Sequence, residues 1–285
     1  MRMLVCTLGS QHRKRTLNYA AAVAGALGAD TTLLGIAQRE NKTEELKQIL
    51  QKEAGELAAQ GLPVRVVVEI GRAEDIVMAE MAASRYDLVA VGALGEKRSR
   101  RAFFDSVAMR IVERADCSVL LIKGDHRDLS RLLICASGAE VGQVAIQAGA
   151  SLSCAAGAQA TVLHVVDAMP GMYTGLEQME ETFSELLASE SDSAKQLKWA
   201  ATVVDKECQV SDLKLRRGIV ADEILREGQE GHYDLIVLGS SRSANGIVRI
   251  LLGDLTREIL SRARRPVLVV CPAGGDALET GGCVE

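Results

Sequence analysis

Two glycine-containing segments that carry arginine and lysine could bind a phosphate group or another anion. One begins at Gly92 and reads GALGEKRSRRAFFDS, and the other begins at Gly239 and reads GSSRSANGIVRILLGD. A loop that leads into a helix presents main-chain N–H groups to an anion, and the positive end of the helix dipole reinforces the attraction. Their cations are Lys97, Arg98, Arg100 and Arg101 in the first segment and Arg242 and Arg249 in the second. Such charges are equally typical of a solvated surface, so both interpretations stand.

Residues that could catalyse a reaction or bind a metal are scarce. The sequence has no GxxxxGKS phosphate loop and no interpretable set of serine, histidine and aspartate. His164 lies within an apolar run and is interpreted as a packed strand residue. The four histidines and seven cysteines lack the spacing of a zinc site, and the thiols are interpreted as free and buried. Binding is therefore favoured over catalysis.

The chain is an internal duplication, and each glycine-containing segment belongs to one copy. GRAEDIVMAEMAASRYDLVAVGALG begins at Gly71, and its counterpart GIVADEILREGQEGHYDLIVLGSS begins 147 positions later at Gly218. The starts of the copies also match, with MLVCTLGS at Met3 and LLICASGA at Leu132, at a spacing of 129. The second copy therefore holds about eighteen additional residues in its middle. Units of this size are too long for a solenoid.

Apolar runs of strand length alternate with segments of helical spacing in both copies. This alternation predicts parallel sheets with helices on both faces. The predicted strands are MLVC, TTLLGIA, VRVVVEI, LVAVGAL and SVLLIK in the first copy and LLIC, ATVLHVV, LKLRR, DLIVLGS and PVLVVC in the second. A first helix is predicted to end at Gly28, and further helices are predicted over 41–60, 75–84 and 105–114. Asp105 is the predicted N-cap of the last of these.

The predicted organisation is two domains and a tail. The domains cover 1–127 and 128–273, and a loosely ordered tail covers 274–285. A helical insertion at about 168–208 contains the single tryptophan, Trp199, and is interpreted as a helix pair or lid on its own domain rather than a partner-binding module. A chain of 285 residues suits two domains that each bury a core.

Composition excludes several classes of function. The chain is 48% hydrophobic and 25% charged with a net charge of −5, which is ordinary for a soluble, mildly acidic protein and gives no nucleic-acid footprint. No apolar stretch approaches the roughly 20 residues of a membrane span, and the first residues have too short an apolar run for a signal peptide. We expect a cytoplasmic protein without nucleic-acid or membrane partners.

The order of these motifs resembles the universal stress protein family. The resemblance rests on the small-residue loop after the first strand, on GADTTLLGIA and GAQATVLHVVD, on YDLIVLGSS, and on LLGDLTREILSRARRPVLVV. It covers nearly all of both copies. It implies an α/β fold of two tandem Rossmann-like (HUP) domains, each with a five-stranded parallel sheet flanked by helices. In one branch of the family the resemblance also implies an ATP site.

The pattern of that ATP site has two parts. An Asp follows the first strand, and a later loop reads GxxG, then nine further residues, then Gly and Ser or Thr. The first copy departs from this pattern. Gly92 and Gly95 fit, but Asp105 stands at the third glycine and Leu8 stands at the Asp. An aspartate at that glycine adds negative charge and blocks close approach to a phosphate. We therefore expect the first copy to bind no nucleotide.

The second copy departs from the pattern in another way. Ser137 replaces the Asp, Arg242 replaces the second glycine, and Asp254 replaces the Ser or Thr. Arg242 and the neighbouring hydroxyl groups could hold an anion differently. The candidate ligand-binding residues are Ser137, Gly138, Val165, Gly218, Gly239, Ser240, Arg242, Gly253 and Leu255. ATP or AMP is the candidate cofactor, and no residue is assigned to catalysis or to a metal.

Three functions remain open from the sequence. The first is a noncatalytic regulatory protein that binds ATP, AMP or another small anion in the second copy. The second is a nucleotide-free scaffold that acts through protein contacts, and the third is a weak ATP hydrolase. Family members often dimerise through the last strand, so the resemblance implies intramolecular pairing of SVLLIK with PVLVVC, with a homodimer also open.

Overall fold

The computed structural model of the chain describes residues 1–7, 13–92, 106–125, 128–136, 139–166, 195, 198, 210–242, 250–251 and 253–271. In the first copy, strands β1 to β5 are Arg2–Thr7, Asp30–Ala37, Val64–Ile70, Leu88–Gly92 and Ser118–Ile122. Helices α1 to α4 are Arg13–Ala26, Thr43–Ala58, Ala73–Ala83 and Val107–Arg114, and a short 3₁₀ turn, Glu40–Lys42, precedes α2.

The second copy repeats this order of elements. Strands β6 to β12 are Arg131–Cys135, Gln159–Val166, Val210–Arg217, Leu235–Gly239, Ser241–Arg242, Ile250–Leu251 and Val267–Val270. Helices α5 to α7 are Ala139–Ala156, Val220–Glu230 and Asp254–Arg262. Within the predicted insertion only Lys195 and Lys198 are described, and both are helical and exposed. Trp199 and the predicted tail lie outside the described residues.

Each copy forms a parallel five-stranded sheet, as predicted. The strand order is β3-β2-β1-β4-β5 in the first copy and β8-β7-β6-β9-β12 in the second. Strand order reverses at β1 and β4 in one copy and at β6 and β9 in the other. In open α/β sheets, ligands bind beyond the carboxyl ends of the strands at such a reversal. The topology therefore positions one candidate crevice in each domain.

The two sheets join through their last strands into a single ten-stranded sheet. Strands β5 and β12 pair in antiparallel fashion, with Leu120 opposite Leu268. These leucines occupy equivalent places in the two copies, so a pseudo-twofold axis passes between them. The prediction that SVLLIK and PVLVVC pair within the chain is confirmed.

Polar contacts reinforce this junction between the domains. The Lys123 ammonium group donates to the carbonyl oxygens of Leu260 and Ala263, the last turn of α7. Arg257 on α7 lies 3.1 Å from Glu113 on α4. The Arg257–Glu113 pair joins α7 to α4, and Lys123 joins the end of β5 to the end of α7.

Two apolar cores lie on opposite faces of the sheet, and each contains residues of both domains. One includes Leu17, Val23 and Leu33 together with Leu132 and Leu152. On the other face, residues such as Met109 pack in the same cluster as Ile236 and Ile259. Because neither core ends at the domain boundary, burial of apolar surface stabilises both domains together.

Helix ends follow local chemistry, with one correction to the sequence prediction. Gly28 adopts φ +57°, and the N–H of Ala29 donates to the carbonyl of Ala24, so α1 ends as predicted. At α4 the N-cap is Ser106, whose hydroxyl accepts a hydrogen bond of 3.2 Å from the N–H of Met109. The prediction of Asp105 as N-cap is wrong because the Ser106 side chain makes that bond. Asp105 itself lies outside the described residues.

The cysteines that the structure describes are Cys6, Cys117, Cys135, Cys154 and Cys271, and all five are free thiols, as expected. Burial raises the pKa of Cys6, Cys117 and Cys135, which keeps these thiols protonated. Over the described ranges, none of the helices is both long and apolar enough to cross a membrane. The same residues contain no cluster of His, Cys, Asp or Glu that could hold a metal ion.

Candidate functional site

A cleft of about 1040 Å³ lies at the carboxyl ends of the first domain's strands. Its floor comes from the ends of β1, β2 and β3, and its walls come from the starts of α1, α2 and α3 and from α4. The apolar part contains Ile36, Leu46, Ile49 and Val107. Its size and mixed lining suit a small molecule with an apolar part and a charged part.

Four cationic side chains line this cleft, and each is matched by an acid. Arg13, the most enclosed of them, has a side chain only 16% exposed, with its Nε 3.1 Å from Glu53. Lys42 contacts Glu45 at 2.6 Å, and Arg72 lies 3.7 Å from Asp75. The fourth cation, Arg110, contacts Glu74. The pairs of Lys42 and Arg72 are exposed, so an anionic ligand can compete for these cations at little cost.

Glu74 anchors the wall that α3 and α4 form. The residue is 6% exposed, and its carboxylate lies between the guanidinium groups of Arg110 and Arg114. A buried carboxylate is costly unless it is paired, and two guanidinium groups offset that cost. Arg110 is thereby held at the cleft, while Arg114 supplies a second partner for Glu74.

The glycine between β3 and α3 sets the entrance to the cleft. Gly71 adopts φ +151°, and its N–H donates to the carbonyl of Ala37 at 3.2 Å. Gly218 in the second copy adopts φ +153° and donates to Val166 at 3.0 Å. Residues with a Cβ rarely adopt this conformation. Both copies therefore turn from the third strand into the helix by the same glycine-dependent step.

In the second domain the structure brings several predicted site residues to one edge of the sheet. Val165 lies near the end of β7 and is half-buried, Gly218 follows β8, and Gly239 ends β9. Gly239 is close to the main chain of α5, because a Cβ at this position would lie 1.9 Å from the carbonyl oxygen of Val141. The glycine is thus required for helix packing at the edge of the crevice.

Ser240 is buried beside this edge and bonds to the sheet. Its hydroxyl group and its N–H both donate to the carbonyl of Val270 at 2.9 Å. The side chain is therefore engaged in holding β9 to β12. Gly253, in contrast, is an exposed N-cap of α7 with open space around its Cα, and Leu255 packs partly against the core.

The remaining predicted residues of the second site are only partly placed. Ser137 and Gly138 lie outside the described residues. The main chain of Arg242 belongs to β10, which pairs with β11 opposite Ile250, but its side chain is not described. The prediction that these groups meet an anion therefore stays a prediction.

His164 behaves as a packed strand residue, as the sequence indicates. It is 8% exposed, and its Nδ1 lies 3.0 Å from the carbonyl oxygen of Ala136. This bond ties β7 to the end of β6. The contact gives the imidazole a structural partner at the edge of the second crevice.

The two crevices differ in charge at equivalent positions. Where the first copy has Arg72, the second has Ile219, whose exposed fraction is 66%. Where the first has the buried Glu74, the second has Ala221. The cationic lining of the first cleft was missed from the sequence because its members follow different strands. Their common signal is a position just after a strand end or near a helix start.

Comparisons with known proteins agree with this architecture. The model of the universal stress protein family matches residues 1–123 and 129–271. A universal stress protein of Methanocaldococcus jannaschii is 27% identical over 150 residues, which is 53% of this chain and 86% of that protein.

Two solved structures span nearly the whole chain. A universal stress protein from Archaeoglobus fulgidus is 17% identical with a TM-score of 0.71, covering 95% of this chain and 98% of its own. A structure titled as a putative universal stress protein from Pseudomonas aeruginosa is 18% identical with a TM-score of 0.68, covering 98% of this chain and 96% of its own. At this identity the two structures support the two-domain fold.

Proposed function

The chain belongs to the universal stress protein family, and we propose that it is a noncatalytic regulatory protein that binds a small anionic metabolite. AMP and ATP are the first candidates. The observation that carries the proposal is the first domain's cleft, where four cations surround an apolar part at the carboxyl ends of β1 and β2, next to the reversal of strand order. A partner protein would then respond to the ligand-bound form.

The shape of the cleft supports a ligand with two chemically distinct ends. Ile36 and Ile49 offer an apolar surface to a flat ring, while Arg72 and Arg110 offer charge to a phosphate or carboxylate. The exposed Arg72 can turn from Asp75 to a ligand. Arg110 stays paired with Glu74 and adds positive charge to the wall of the cleft.

This proposal places a ligand in the first copy, although the departures at Leu8 and Asp105 predict that this copy has lost its nucleotide. The two arguments concern different binding groups, the main-chain N–H groups of a loop in one case and side-chain cations in the other. The motif describes a glycine-containing loop, whereas the cleft is formed by strand ends and by α1 to α4. A ligand held by arginine side chains does not need the third glycine of the motif.

We also propose the second copy as a separate and weaker site. Val165, Gly218 and the exposed N-cap Gly253 lie at its crevice. The exposed Ile219 removes the cation that Arg72 supplies in the first copy. A nucleotide bound there would depend on Arg242 and on the N–H groups at the start of α7.

Calorimetric titration of the full chain with AMP, ATP, cyclic nucleotides and inorganic phosphate tests the proposal. We expect binding by the wild type and a loss of about tenfold in affinity for Arg72→Ala, the size of one charge-assisted contact. Arg242→Ala is the matched variant for the second copy. If Arg242→Ala abolishes the heat and Arg72→Ala leaves it unchanged, the ligand occupies the second copy instead.

The same titration distinguishes the regulatory function from the alternatives. An absence of heat with all these ligands would refute an anion-binding role and favour the nucleotide-free scaffold. If the purified chain releases inorganic phosphate from ATP and the Arg72→Ala variant does not, the noncatalytic assignment is contradicted. Arg72 is exposed and pairs with Asp75 at the surface, so Arg72→Ala is expected to fold normally.

A further inference from the structure

The ten-stranded sheet ends in two edge strands of different character, β3 and β8. Strand β8 alternates charged residues with apolar ones, and its Lys214 and Arg216 form ion pairs with acids on α6. Strand β3 reads VRVVVEI, with three consecutive valines between Arg65 and Glu69. Edge strands usually carry features that prevent pairing with another chain. Strand β3 has few of them.

The outer edge of β3 is open to a partner. Among the described residues, β3 pairs only with β2. Its valines are half-buried on both faces of the sheet, and Ile70 at its end is 45% exposed. The main-chain N–H and C=O groups on the outer edge are therefore available for a further strand.

We propose that two copies of this chain associate through β3, paired in antiparallel fashion about Val67. The sequence of β3 is self-complementary in that arrangement. With Val67 opposite Val67 of the second copy, Arg65 lies opposite Glu69 of the second copy, and Val66 lies opposite Val68. Each residue meets a residue of matching chemistry, and two cross-strand ion pairs form.

Only this register satisfies both charges. A shift of the pairing by two residues places Arg65 opposite a valine or beyond the strand, and Glu69 then also loses its partner. Opposite charges directly across an antiparallel pair contribute roughly 0.2–1 kcal/mol each. Two such pairs therefore select the register centred on Val67.

The two charged side chains are accessible for these contacts. Glu69 is exposed and has no ion-pair partner within the described part of the chain. The Arg65 side chain is 62% exposed, and its own contacts are long, at 3.4 Å to the hydroxyl groups of Thr32 and Tyr86 and 3.6 Å to Glu80. In the dimer, Arg65 exchanges these long, exposed contacts for Glu69 of the second copy.

The junction inside the chain shows the same mode of association. Strands β5 and β12 pair in antiparallel fashion with equivalent residues, Leu120 and Leu268, at the centre. A β3 pair about Val67 applies a twofold axis to whole chains that is likewise perpendicular to the local sheet. The result is a continuous sheet with helices remaining on both of its faces.

Charge reversal in the full-length chain tests the proposal by sedimentation velocity. We expect the wild type to dimerise and Glu69→Arg to raise the dissociation constant at least about tenfold, because Arg65 then faces another arginine. Arg65→Glu should have the same effect. Mixing the two variants in equal amounts should restore a heterodimer, since every cation then faces an acid.

Intermolecular disulfide formation checks the register without changing charge. Opposed residues of an antiparallel pair have Cα atoms about 4.5–5.5 Å apart, which a disulfide can span. Val67→Cys should therefore cross-link two chains under oxidation. In the matched control Val66→Cys, the two cysteines lie two positions out of register, about 8 Å apart, and should not cross-link beyond the wild-type level.

Three outcomes would overturn the proposal. The proposal is overturned directly if the wild-type chain stays monomeric at micromolar concentration. A dimer that Glu69→Arg leaves intact shows that another surface is used, as does equal cross-linking of the two cysteine variants. Thermal unfolding of each variant accompanies the assay. If Arg65→Glu fails to fold because the new carboxylate lies beside Glu80, the Glu69→Arg variant and the two cysteine variants still test the proposal.

Discussion

The hydroxyl group of Tyr19 donates a hydrogen bond of 2.9 Å to the main-chain carbonyl of Asp234, which belongs to the other domain. Tyr19 is fully buried on α1, and burial raises the pKa of its hydroxyl group, which stays protonated. The carboxylate of Asp234 accepts hydrogen bonds from the N–H groups of Ser130 and Arg131. The first domain is thus bonded to the segment that begins the second domain's sheet.

Replacing Tyr19 by Phe should destabilise the chain without changing its fold. The ring is retained, but the partly buried carbonyl of Asp234 loses the donor of Tyr19, which costs about 0.5–1.5 kcal/mol. Urea unfolding monitored by circular dichroism measures the change. Tyr86→Phe is the control within one domain, since the Tyr86 hydroxyl contacts Glu80 at 2.6 Å. An unchanged unfolding midpoint for Tyr19→Phe would contradict a role in joining the domains.

Truncating the leucines at the pseudo-twofold axis should weaken both domains together. Leu120 and Leu268 are at most 1% exposed, so each change to Ala is expected to cost about 2–5 kcal/mol. Because the two lie opposite one another, the double variant should cost less than the sum of the single variants. Guanidinium unfolding curves give the change in the free energy of unfolding for the two single variants and for the double variant. Strict additivity would argue against their direct contact.

Two glycines in the first domain should respond to alanine in opposite ways. Gly71→Ala forces a Cβ onto φ +151° and should destabilise the protein by about 1–3 kcal/mol. Gly55→Ala lies within α2 with open space around it and should stabilise by about 0.5–1 kcal/mol. Thermal unfolding compares the two. A Gly71→Ala variant as stable as wild type would contradict the strained turn.

Acid should weaken the second domain through Glu227. This residue is 2% exposed and lies 2.8 Å from Lys214 and 2.7 Å from Arg216. Burial alone would raise the pKa of Glu227, but these two cations outweigh it, and the pKa falls below its usual 4.5. A lowered carboxyl pKa contributes stability above pH 4.5 that is lost as the pH falls through the folded value.

The Glu227→Gln variant checks this pH dependence. Its stability should be lower than that of the wild type at pH 7 and should fall less steeply below pH 4.5, because the ionised group is gone. Urea unfolding at a series of pH values gives the slope of the free energy of unfolding against pH for the wild type and for the variant. Glu230→Gln is a suitable control, since Glu230 contacts the same Arg216 from an exposed position. Identical slopes for wild type and Glu227→Gln would refute the assignment.

Much of the fold was predictable because local patterns and tertiary structure agree. The inner strands are continuous apolar runs because they are buried on both faces, and the repeated Gly71 and Gly218 mark a turn that needs positive φ. Pairing of the last strands followed from two apolar runs that would otherwise form an edge. Each of these signals lies within a few neighbouring residues.

The candidate site was less predictable because its residues come from separate elements. Arg13, Arg72 and Arg110 are far apart in the sequence and meet only when three elements pack together. The run of cations from Lys97 to Arg101 instead indicated an anion site in the segment that begins at Gly92. Ser240 likewise reads as a ligand group, but its donor is used by Val270. Such assignments depend on distances that no spacing in the sequence encodes.

The antiparallel junction of β5 with β12 points the two crevices in opposite directions. All strands within a domain run parallel, so the carboxyl ends of one set lie at the rim where the other set has its amino ends. A ligand in the first cleft and a ligand in the second crevice therefore cannot touch each other. The first cleft and the second crevice therefore open at opposite rims of the continuous sheet.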